Sequence, residues 1–137
     1  MDMAKKIVKK MIDSDAFSQW LGIKVIEVSE GFCKLEMTVR EEMTNGFNIA
    51  HGGISYSLAD SALAFAANSD GIQSLSIDTS ISHTKKVISG EKLIAKTQEV
   101  SKNEKNAVYN ISITNQDHII VAHFKGTVYR TKKKWLN

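Results

Sequence analysis

The chain has 137 residues, of which 42% are hydrophobic and 24% charged. This length and balance are typical of one globular domain with one core, and they argue against disorder. The net charge of +3 arises from lysines that are scattered along the chain. A nucleic-acid binder usually concentrates basic residues on one element and interleaves aromatic side chains, so the sequence indicates no nucleic-acid partner.

The single cysteine, Cys33, cannot build a disulfide framework and favours a reducing compartment. Because Cys33 lies in an alternating, strand-like run, we interpret it as a small buried hydrophobe rather than a nucleophile. No CxxC or Cys/His cluster indicates a metal site. The chain also lacks a signal-peptide pattern and any run of about 20 apolar residues. We therefore predict a cytoplasmic protein that does not associate with a membrane.

Two short helices are predicted near the start of the chain, over residues 3–12 and 15–21. The first has an apolar face between lysines, as expected of an amphipathic helix that docks on its own domain. The second ends at Gly22, a residue type common at helix C-termini. A β-hairpin follows over residues 23–30 and 32–40, because both segments alternate in polarity or are rich in Val, Ile and Thr.

A long helix is predicted over residues 52–70, after a loop at residues 41–50. Its apolar residues recur at the spacing of one helix face: Ile54, Leu58, Ala62 and Phe65. Most of its other positions hold Ala or Ser, so neighbouring elements can approach it closely on several sides. Such a helix suits a position wrapped by a sheet or packed against a copy of itself.

The rest of the chain is predicted to form strands, followed by a basic, solvated tail at residues 131–137. The strands are expected as a meander over residues 73–86, 92–101, 107–114 and 119–130. The order of elements predicts a single α+β domain over residues 1–137. In this domain, one long helix covers one face of an antiparallel sheet.

The segment from Asn45 to Gly53 combines an amide side chain, a histidine and two glycines at the predicted start of the long helix. Free N–H groups and the positive end of the helix dipole meet at such a terminus. Glycine lets a ligand approach the backbone closely. These features predict a site for an anion, or for the oxyanion that forms when a carbonyl group is attacked.

Asp60 lies in the middle of the apolar helix, where Asp is disfavoured and a buried carboxylate costs free energy. It is therefore either a functional carboxylate or a residue on an exposed stripe of the helix. Asp60 and Gly52 are eight residues apart, or about 12 Å along the helix axis. A base and an oxyanion donor must both lie within about 3 Å of the reacting group. A catalytic motif thus requires at least two copies with their long helices antiparallel.

The motif resembles the signature of the hotdog-fold thioesterases, specifically the PaaI-type branch named for phenylacetate degradation. The resemblance rests on this spacing: Asn45-x5-His51-Gly52-Gly53-x6-Asp60. The similarity covers the whole helix and extends more weakly over residues 17–130. It implies a hotdog fold, in which an antiparallel β-sheet wraps around one long central α-helix.

The resemblance also implies roles for the residues of the motif. Asp60 matches the catalytic carboxylate, and Gly52 matches the residue whose backbone N–H polarises the thioester carbonyl. Asn45 and His51 match polar residues that line and orient the site. Ser76 matches a serine that holds the attacking water in some relatives.

Ser74 and Ser80 are predicted on the same strand face as Ser76, so the position alone does not single out Ser76. A strand serine bonded to its neighbours is the alternative interpretation. Three histidines, His83, His118 and His123, match no catalytic pattern of the family. We expect them at strand-surface or core positions.

The candidate substrate-binding residues are a glycine at the helix start, two aromatic side chains for an acyl group, and lysines for the phosphates of coenzyme A. They are Gly53, Phe47, Tyr56, Lys85, Lys86, Lys102 and Lys105. Lys85 and Lys86 replace the Arg-Pro pair that relatives often carry. A solvated surface charge is the alternative for each lysine, and core packing is the alternative for the apolar helix residues.

The resemblance implies hydrolysis of acyl-coenzyme A thioesters to the free acid and coenzyme A. The acyl group is expected to be phenylacetyl-like, hydroxyphenylacetyl-like or of medium chain length. Asp60 either deprotonates a water or attacks the carbonyl itself to form an anhydride. No metal or other cofactor is needed, because coenzyme A is part of the substrate.

The active site is expected between subunits of a homo-oligomer, either a dimer or a homotetramer. Two alternatives stay open, since a fold does not fix a function. One is a hotdog hydratase or dehydratase, which usually carries its histidine in a different motif. The other is a hotdog protein that binds acyl-coenzyme A without catalysis, which should lack the carboxylate.

Overall fold

The computed structural model describes all residues from 1 to 137. Three α-helices are present, α1 at Met3–Asp13, α2 at Ala16–Leu21 and α3 at Gly52–Asn68, with a short 3-10 turn at Glu41–Met43. There are six strands, of which the first two precede α3. In chain order they are β1 Lys24–Ser29, β2 Phe32–Thr38, β3 Ile72–His83, β4 Lys92–Lys102, β5 Asn106–Thr114 and β6 Ile120–Lys134.

The two N-terminal helices begin at acidic caps. The carboxylate of Asp2 accepts a hydrogen bond from the N–H of Lys5, and that of Asp15 accepts one from the N–H of Ser18, both at 2.9 Å. Such caps satisfy N–H groups that lack an intrahelical partner. Gly22 ends α2 in the left-handed conformation with φ of 76°, which confirms the predicted C-cap.

All six strands pair antiparallel in one sheet with the order β1-β2-β4-β5-β6-β3. The prediction of a simple meander is therefore wrong for β3. This strand pairs with β6 at an edge of the sheet, and β2 takes the place beside β4. Local sequence patterns carry no information on which distant strands pair, so this order was not predictable from them.

The ends of two strands differ from the prediction. β3 stops at His83 rather than residue 86, because the N–H groups of Thr84 and Lys85 both turn to the carbonyl of Val121. β6 continues to Lys134, although the sequence indicated a solvated tail from residue 131. The indole N–H of Trp135 donates to Asn68 at 2.8 Å and anchors this segment.

Helix α3 packs against one face of the sheet and supplies its apolar side chains to the core. Leu58, Ala59, Ala62 and Phe65 are fully buried there. The sheet approaches the helix closely at Gly126, where an added Cβ would lie 2.5 Å from Leu63 Cδ2. The sheet wrapped around one long central helix confirms the predicted α+β hotdog fold. No helix is long and apolar enough to cross a bilayer.

A β-bulge in β3 determines which residues face α3. Ser76 pairs with Val128 and Asp78 with Thr127, so Ile77 is an extra residue without a partner. An extra residue reverses the alternation of side chains along the strand that follows. Beyond Ile77, the residues facing the helix are therefore Thr79, Ile81 and His83, rather than the even-numbered positions.

Candidate active site

His51, Gly52 and Gly53 form the N-terminus of α3. His51 is the N-cap, and its Nδ1 accepts a hydrogen bond from the N–H of Gly53 at 2.9 Å. The N–H of Gly52 donates to no group of the chain. One strongly polarised donor at the positive end of the helix dipole is thus available to an oxygen of a ligand.

A cavity of about 380 Å³ lies in front of this helix terminus. Asn45 and Gly52 line it on one side, and Lys85 and Lys86 on another. The side-chain oxygen of Asn45 accepts a hydrogen bond from the N–H of Phe47 at 2.9 Å. This bond fixes the loop before the helix and leaves the amide NH₂ of Asn45 free to donate.

His83 lines the same cavity, although no sequence motif indicated a role for it. A Cβ atom built on Gly52 would lie 3.2 Å from His83 Nε2 and 3.5 Å from its Cε1. The other ring nitrogen, Nδ1, lies 3.4 Å from Ser55 Oγ. His83 is an exposed residue at the end of β3, which agrees with the expected strand-surface position, but its ring also lines the Gly52 cavity. Only knowledge of the bulge at Ile77 would have assigned His83 to the helix face.

Asp60 lies two turns further along α3, beside a second cavity of about 480 Å³. The walls of this cavity combine apolar and polar side chains. The apolar ones are Met11, Leu63, Ala64, Leu75, Val128 and Trp135, and Asp60, Ser74 and Ser76 are among the polar ones. The carboxylate of Asp60 accepts no hydrogen bond within the chain, so a water or a substrate can reach it from the cavity.

Burial raises the pKa of the Asp60 carboxyl, and the negative charge of Asp15 raises it further. Asp15 is held close by α2, since Ser18 Oγ donates to the Asp15 carboxylate at 2.6 Å and lies 2.8 Å from Ser61 Oγ. A raised pKa brings a carboxylate nearer to the pH at which a general base is most effective. Asp60 therefore lies in the cavity rather than on an exposed stripe of the helix.

The structure separates the three serines that the sequence grouped together. Ser74 and Ser76 both line the Asp60 cavity, but Ser74 is buried and its Oγ donates to the carbonyl of Ile72 at 3.2 Å. Ser80 lies on the opposite face of the sheet, because the bulge at Ile77 reverses the alternation. Ser76 is thus the serine with a free hydroxyl beside Asp60, and its role stays a prediction.

The two cavities share no lining residue. Gly52 and Asp60 lie at different points of the same helix, about 12 Å apart along its axis. Within one chain, the N–H of Gly52 and the carboxylate of Asp60 are therefore too far apart to act on the same thioester bond. Each cavity holds half of the predicted site.

The remaining predicted residues lie outside both cavities. Phe47 is 86% exposed, and Tyr56 packs edge-on against Phe124 while its hydroxyl lies 2.6 Å from Thr79 Oγ1. Lys102 pairs with Asp70 at 3.3 Å beyond the C-terminus of α3. Lys105 lies in the turn after β4. The structure thus brings only two of the four candidate lysines to the Gly52 cavity.

No three His, Cys, Asp or Glu side chains come together as a ligand set for a metal ion. The absence of a metal or cofactor stays a prediction. Cys33 is fully buried, and burial raises the pKa of its thiol to about 12. The thiol is therefore protonated at neutral pH, which confirms Cys33 as a small core residue rather than a nucleophile.

The sheet wrapped around α3 and the polar N-terminus of that helix define a hotdog-fold protein with an acyl-transfer type of site. The family model of the thioesterase superfamily matches residues 47–122. This span contains the N-terminus of α3, Asp60 and all of β3.

Two relatives match over most of the chain. An acyl-coenzyme A thioesterase, PaaI of Escherichia coli, is 38% identical over 120 residues, which are 88% of this chain and 86% of that protein. A putative esterase of Archaeoglobus fulgidus is 39% identical over 131 residues, 96% of this chain and 85% of that protein.

The fold matches solved structures equally well. The structure of the Escherichia coli PaaI protein from the phenylacetic acid degradation operon superposes with a TM-score of 0.94, 35% identity and 96% coverage of both chains. A mutant of the phenylacetic acid degradation protein PaaI from Thermus thermophilus gives a TM-score of 0.82 at 31% identity, covering 85% of this chain and all of that one. The chain belongs to the thioesterase superfamily, in its PaaI-type branch, and is a thioester hydrolase.

Proposed function

We propose that the protein hydrolyses acyl-coenzyme A thioesters at a site shared between two copies of the chain. The observation that carries this proposal is the pairing of two incomplete half-sites, an unpartnered N–H at Gly52 and an unbonded carboxylate at Asp60. Neither half can hydrolyse a thioester alone, and both residue types are those that the chemistry requires.

Antiparallel packing of two α3 helices would place Asp60 of one copy beside Gly52 of the other. The edge strand β3 supports such an assembly, because it exposes 66% of Leu75 and 60% of Ile77 beside its unpaired backbone groups. Exposed apolar residues on a free edge are a common place for strands of two copies to pair. The two-fold symmetry gives two identical sites per dimer, and the proposed homotetramer is a pair of such dimers.

The reaction begins with the thioester carbonyl oxygen accepting a hydrogen bond from the Gly52 N–H. In one route, Asp60 takes a proton from a water while the water oxygen bonds to the carbonyl carbon. The tetrahedral oxyanion is stabilised by the Gly52 N–H. The C–S bond then breaks, and the sulfur takes the proton from Asp60, which yields the free acid and coenzyme A.

In the other route, a carboxylate oxygen of Asp60 attacks the carbonyl carbon directly and the thiolate leaves. The resulting anhydride is hydrolysed by a water, which restores the carboxylate. The open side of Asp60 and the free hydroxyl of Ser76 nearby support either route, since Ser76 can hold the water in both. Hydrolysis in ¹⁸O-labelled water detects the anhydride route when the water attacks the Asp60 carbon of the anhydride, because Asp60 then keeps a labelled oxygen. The general-base route never labels Asp60.

The cavity beside Asp60 is proposed to hold the acyl group. Its apolar walls, with Leu63, Val128 and Trp135 among them, suit an aromatic or medium-length chain. The names of the relatives from Escherichia coli and Thermus thermophilus point to phenylacetyl-like groups. Phe47 is exposed in the single chain, and we propose that it covers the acyl group once two copies assemble. Tyr56, which packs against Phe124 of the sheet, is proposed to hold α3 in place beside the site.

The coenzyme A phosphates are proposed to bind at the rim of the Gly52 cavity. Lys85 and Lys86 line this cavity, and no acidic residue does. The resulting positive potential favours a phosphorylated ligand. Lys102 and Lys105 lie near the opposite end of α3, and antiparallel packing would carry them toward the Gly52 end of a second copy. We further propose that this chemistry takes place in the cytoplasm, within one domain over residues 1–137, and without a metal or other cofactor.

The proposal is tested by thiol release from a panel of aromatic and aliphatic acyl-coenzyme A thioesters. Asp60→Asn is compared with wild type, and Asp117→Asn in the exposed turn before β6 is the matched control. We expect hydrolysis by wild type and the control, and a loss of several orders of magnitude in folded Asp60→Asn. A wild type that binds these thioesters without hydrolysing them would instead identify a non-catalytic binding protein. Hydration or dehydration of the acyl chain would identify the other alternative.

A further inference from the structure

The contact between His83 and Gly52 brings a second polar group to the point where the carbonyl is polarised. The bulge at Ile77 turns His83 toward α3 at the last position of β3. The closest ring atom to the Cβ position of Gly52 is Nε2, at 3.2 Å. Cα–Cβ bonds tilt toward the N-terminus of a helix, the end toward which the free N–H of Gly52 also points.

The other ring nitrogen is already occupied. Ser55 is buried, and its Oγ lies 3.4 Å from His83 Nδ1 and 3.5 Å from the carbonyl oxygen of Gly52. The Ser55 hydroxyl carries one proton, which can go to the Gly52 carbonyl oxygen or to His83 Nδ1. Donation to Nδ1, the closer of the two acceptors, leaves the ring proton on Nε2. Ser55 thereby orients the imidazole, and Nε2–H is left to donate into the cavity.

The surroundings of His83 favour an acceptor with negative charge. The charged groups that line its cavity are Lys85 and Lys86, with no carboxylate among them. His51 does not compete, because its Nδ1 is engaged by the N–H of Gly53. An oxygen that carries developing negative charge is therefore the ligand atom best suited to Nε2.

We infer that His83 is a further catalytic residue, whose Nε2–H donates a hydrogen bond to the thioester carbonyl oxygen together with the N–H of Gly52. This inference rests on the proposed function, since it assigns a second donor to the same oxyanion. Two donors are the usual number in an oxyanion site, and removal of one typically lowers kcat by about 10²- to 10³-fold.

Two variants separate hydrogen bonding from packing. His83→Phe keeps a planar ring against Gly52 but has no donor, whereas His83→Gln places an amide NH₂ near the position of Nε2. We expect His83→Phe to lower kcat by about 10²-fold and His83→Gln to recover most of that loss. The affinity for free coenzyme A, measured by calorimetry, should stay the same in both variants, because free coenzyme A lacks the thioester carbonyl to which Nε2–H donates.

The inference is overturned if His83→Phe keeps the kcat of wild type, or if His83→Gln is as slow as His83→Phe while both melt at the wild-type temperature. A loss explained entirely by weaker coenzyme A binding would also contradict it. Asp60→Asn, assayed in parallel, distinguishes this failure from that of the proposed function. If Asp60→Asn is slow and His83→Phe has the kcat of wild type, the proposed function stands and only the role of His83 is wrong. If wild type itself hydrolyses no thioester, both the proposed function and the role of His83 are wrong.

Discussion

The imidazole of His83 occupies the space that a side chain at position 52 would need, with Nε2 3.2 Å from the position of a Cβ. Glycine at this position therefore serves the neighbouring histidine as well as the approach of the substrate. Such a contact is closer than ordinary van der Waals packing allows, so any larger residue at position 52 must displace the ring.

Gly52→Ala is expected to lower kcat/KM because the added methyl group pushes the imidazole away from the carbonyl site. The same substitution should cost clearly less in a His83→Ala background, where the ring is absent. A double-mutant cycle on kcat/KM measures this coupling. Equal losses in the two backgrounds would show that the methyl group acts on the substrate alone.

Asp60→Asn is expected to be more stable than wild type at neutral pH. Burial raises the pKa of Asp60, so ionisation of this carboxyl opposes folding. A raised acid pKa contributes stability that is present below the unfolded pKa and lost as pH rises through the folded pKa. Thermal melts from pH 4 to pH 8 should show the advantage of Asp60→Asn growing with pH. A variant that melts below wild type at neutral pH would contradict the burial of an unsatisfied carboxylate.

Asp15→Asn is expected to move the acidic limb of the pH–rate profile to lower pH. The negative charge of Asp15 is the second cause of the raised pKa of Asp60, and Asn removes this charge but retains the ability to cap α2. The exposed Asp13, which pairs with Lys9, supplies the control variant Asp13→Asn. The acidic limb of the kcat/KM profile should move to lower pH for Asp15→Asn and stay in place for Asp13→Asn. The same shift in both variants would indicate a general effect of net charge.

Asp70→Ala is expected to destabilise the protein by about 3–5 kcal/mol, because it leaves the buried Arg130 without its carboxylate. Only 6% of the Asp70 side chain and 12% of the Arg130 side chain are exposed. Burial alone would raise the pKa of Asp70, but hydrogen bonds from Arg130 and Ile72 lower it overall. The contribution is therefore present at neutral pH and is lost as pH falls through the lowered pKa.

Urea unfolding measures this loss, and Asp13→Ala is the matched control. The side chains of Lys9 and Asp13 are 62% and 58% exposed. Ion pairs this exposed contribute no more than about 1 kcal/mol to the free energy of unfolding. Similar costs for Asp70→Ala and Asp13→Ala would show that the pair with Arg130 does not stabilise the fold.

The parts of the structure that depend on local patterns were predictable from the sequence. Helix α3 was identified from its apolar periodicity and its glycine start, and the half-site at Gly52 follows from that helix terminus. The distance between Gly52 and Asp60 follows from helix geometry alone. These features need no knowledge of which distant segments meet.

The parts that depend on distant pairing were not predictable. The bulge at Ile77 is a property of the register between β3 and β6, and it alone decides that His83 faces α3 while Ser80 does not. The extension of β6 likewise depends on pairing with the start of β3 and on Trp135 reaching Asn68. The lysines before Trp135 are typical of a solvated tail, and no local signal opposes that interpretation.

The shared site is tested most directly by mixing two variants that are each inactive. Gly52→Pro removes the N–H of residue 52 and also displaces the His83 ring, while the backbone accepts proline at the first position of a helix. Asp60→Asn removes the carboxylate. After subunit exchange, half of the dimers contain one chain of each kind, and each of these has one intact site. We expect the mixture to recover about a quarter of wild-type thioesterase activity, as a two-fold symmetric dimer requires. A mixture that stays inactive, with subunit exchange confirmed by co-purification of differently tagged chains, would contradict a site built from Gly52 of one copy and Asp60 of the other.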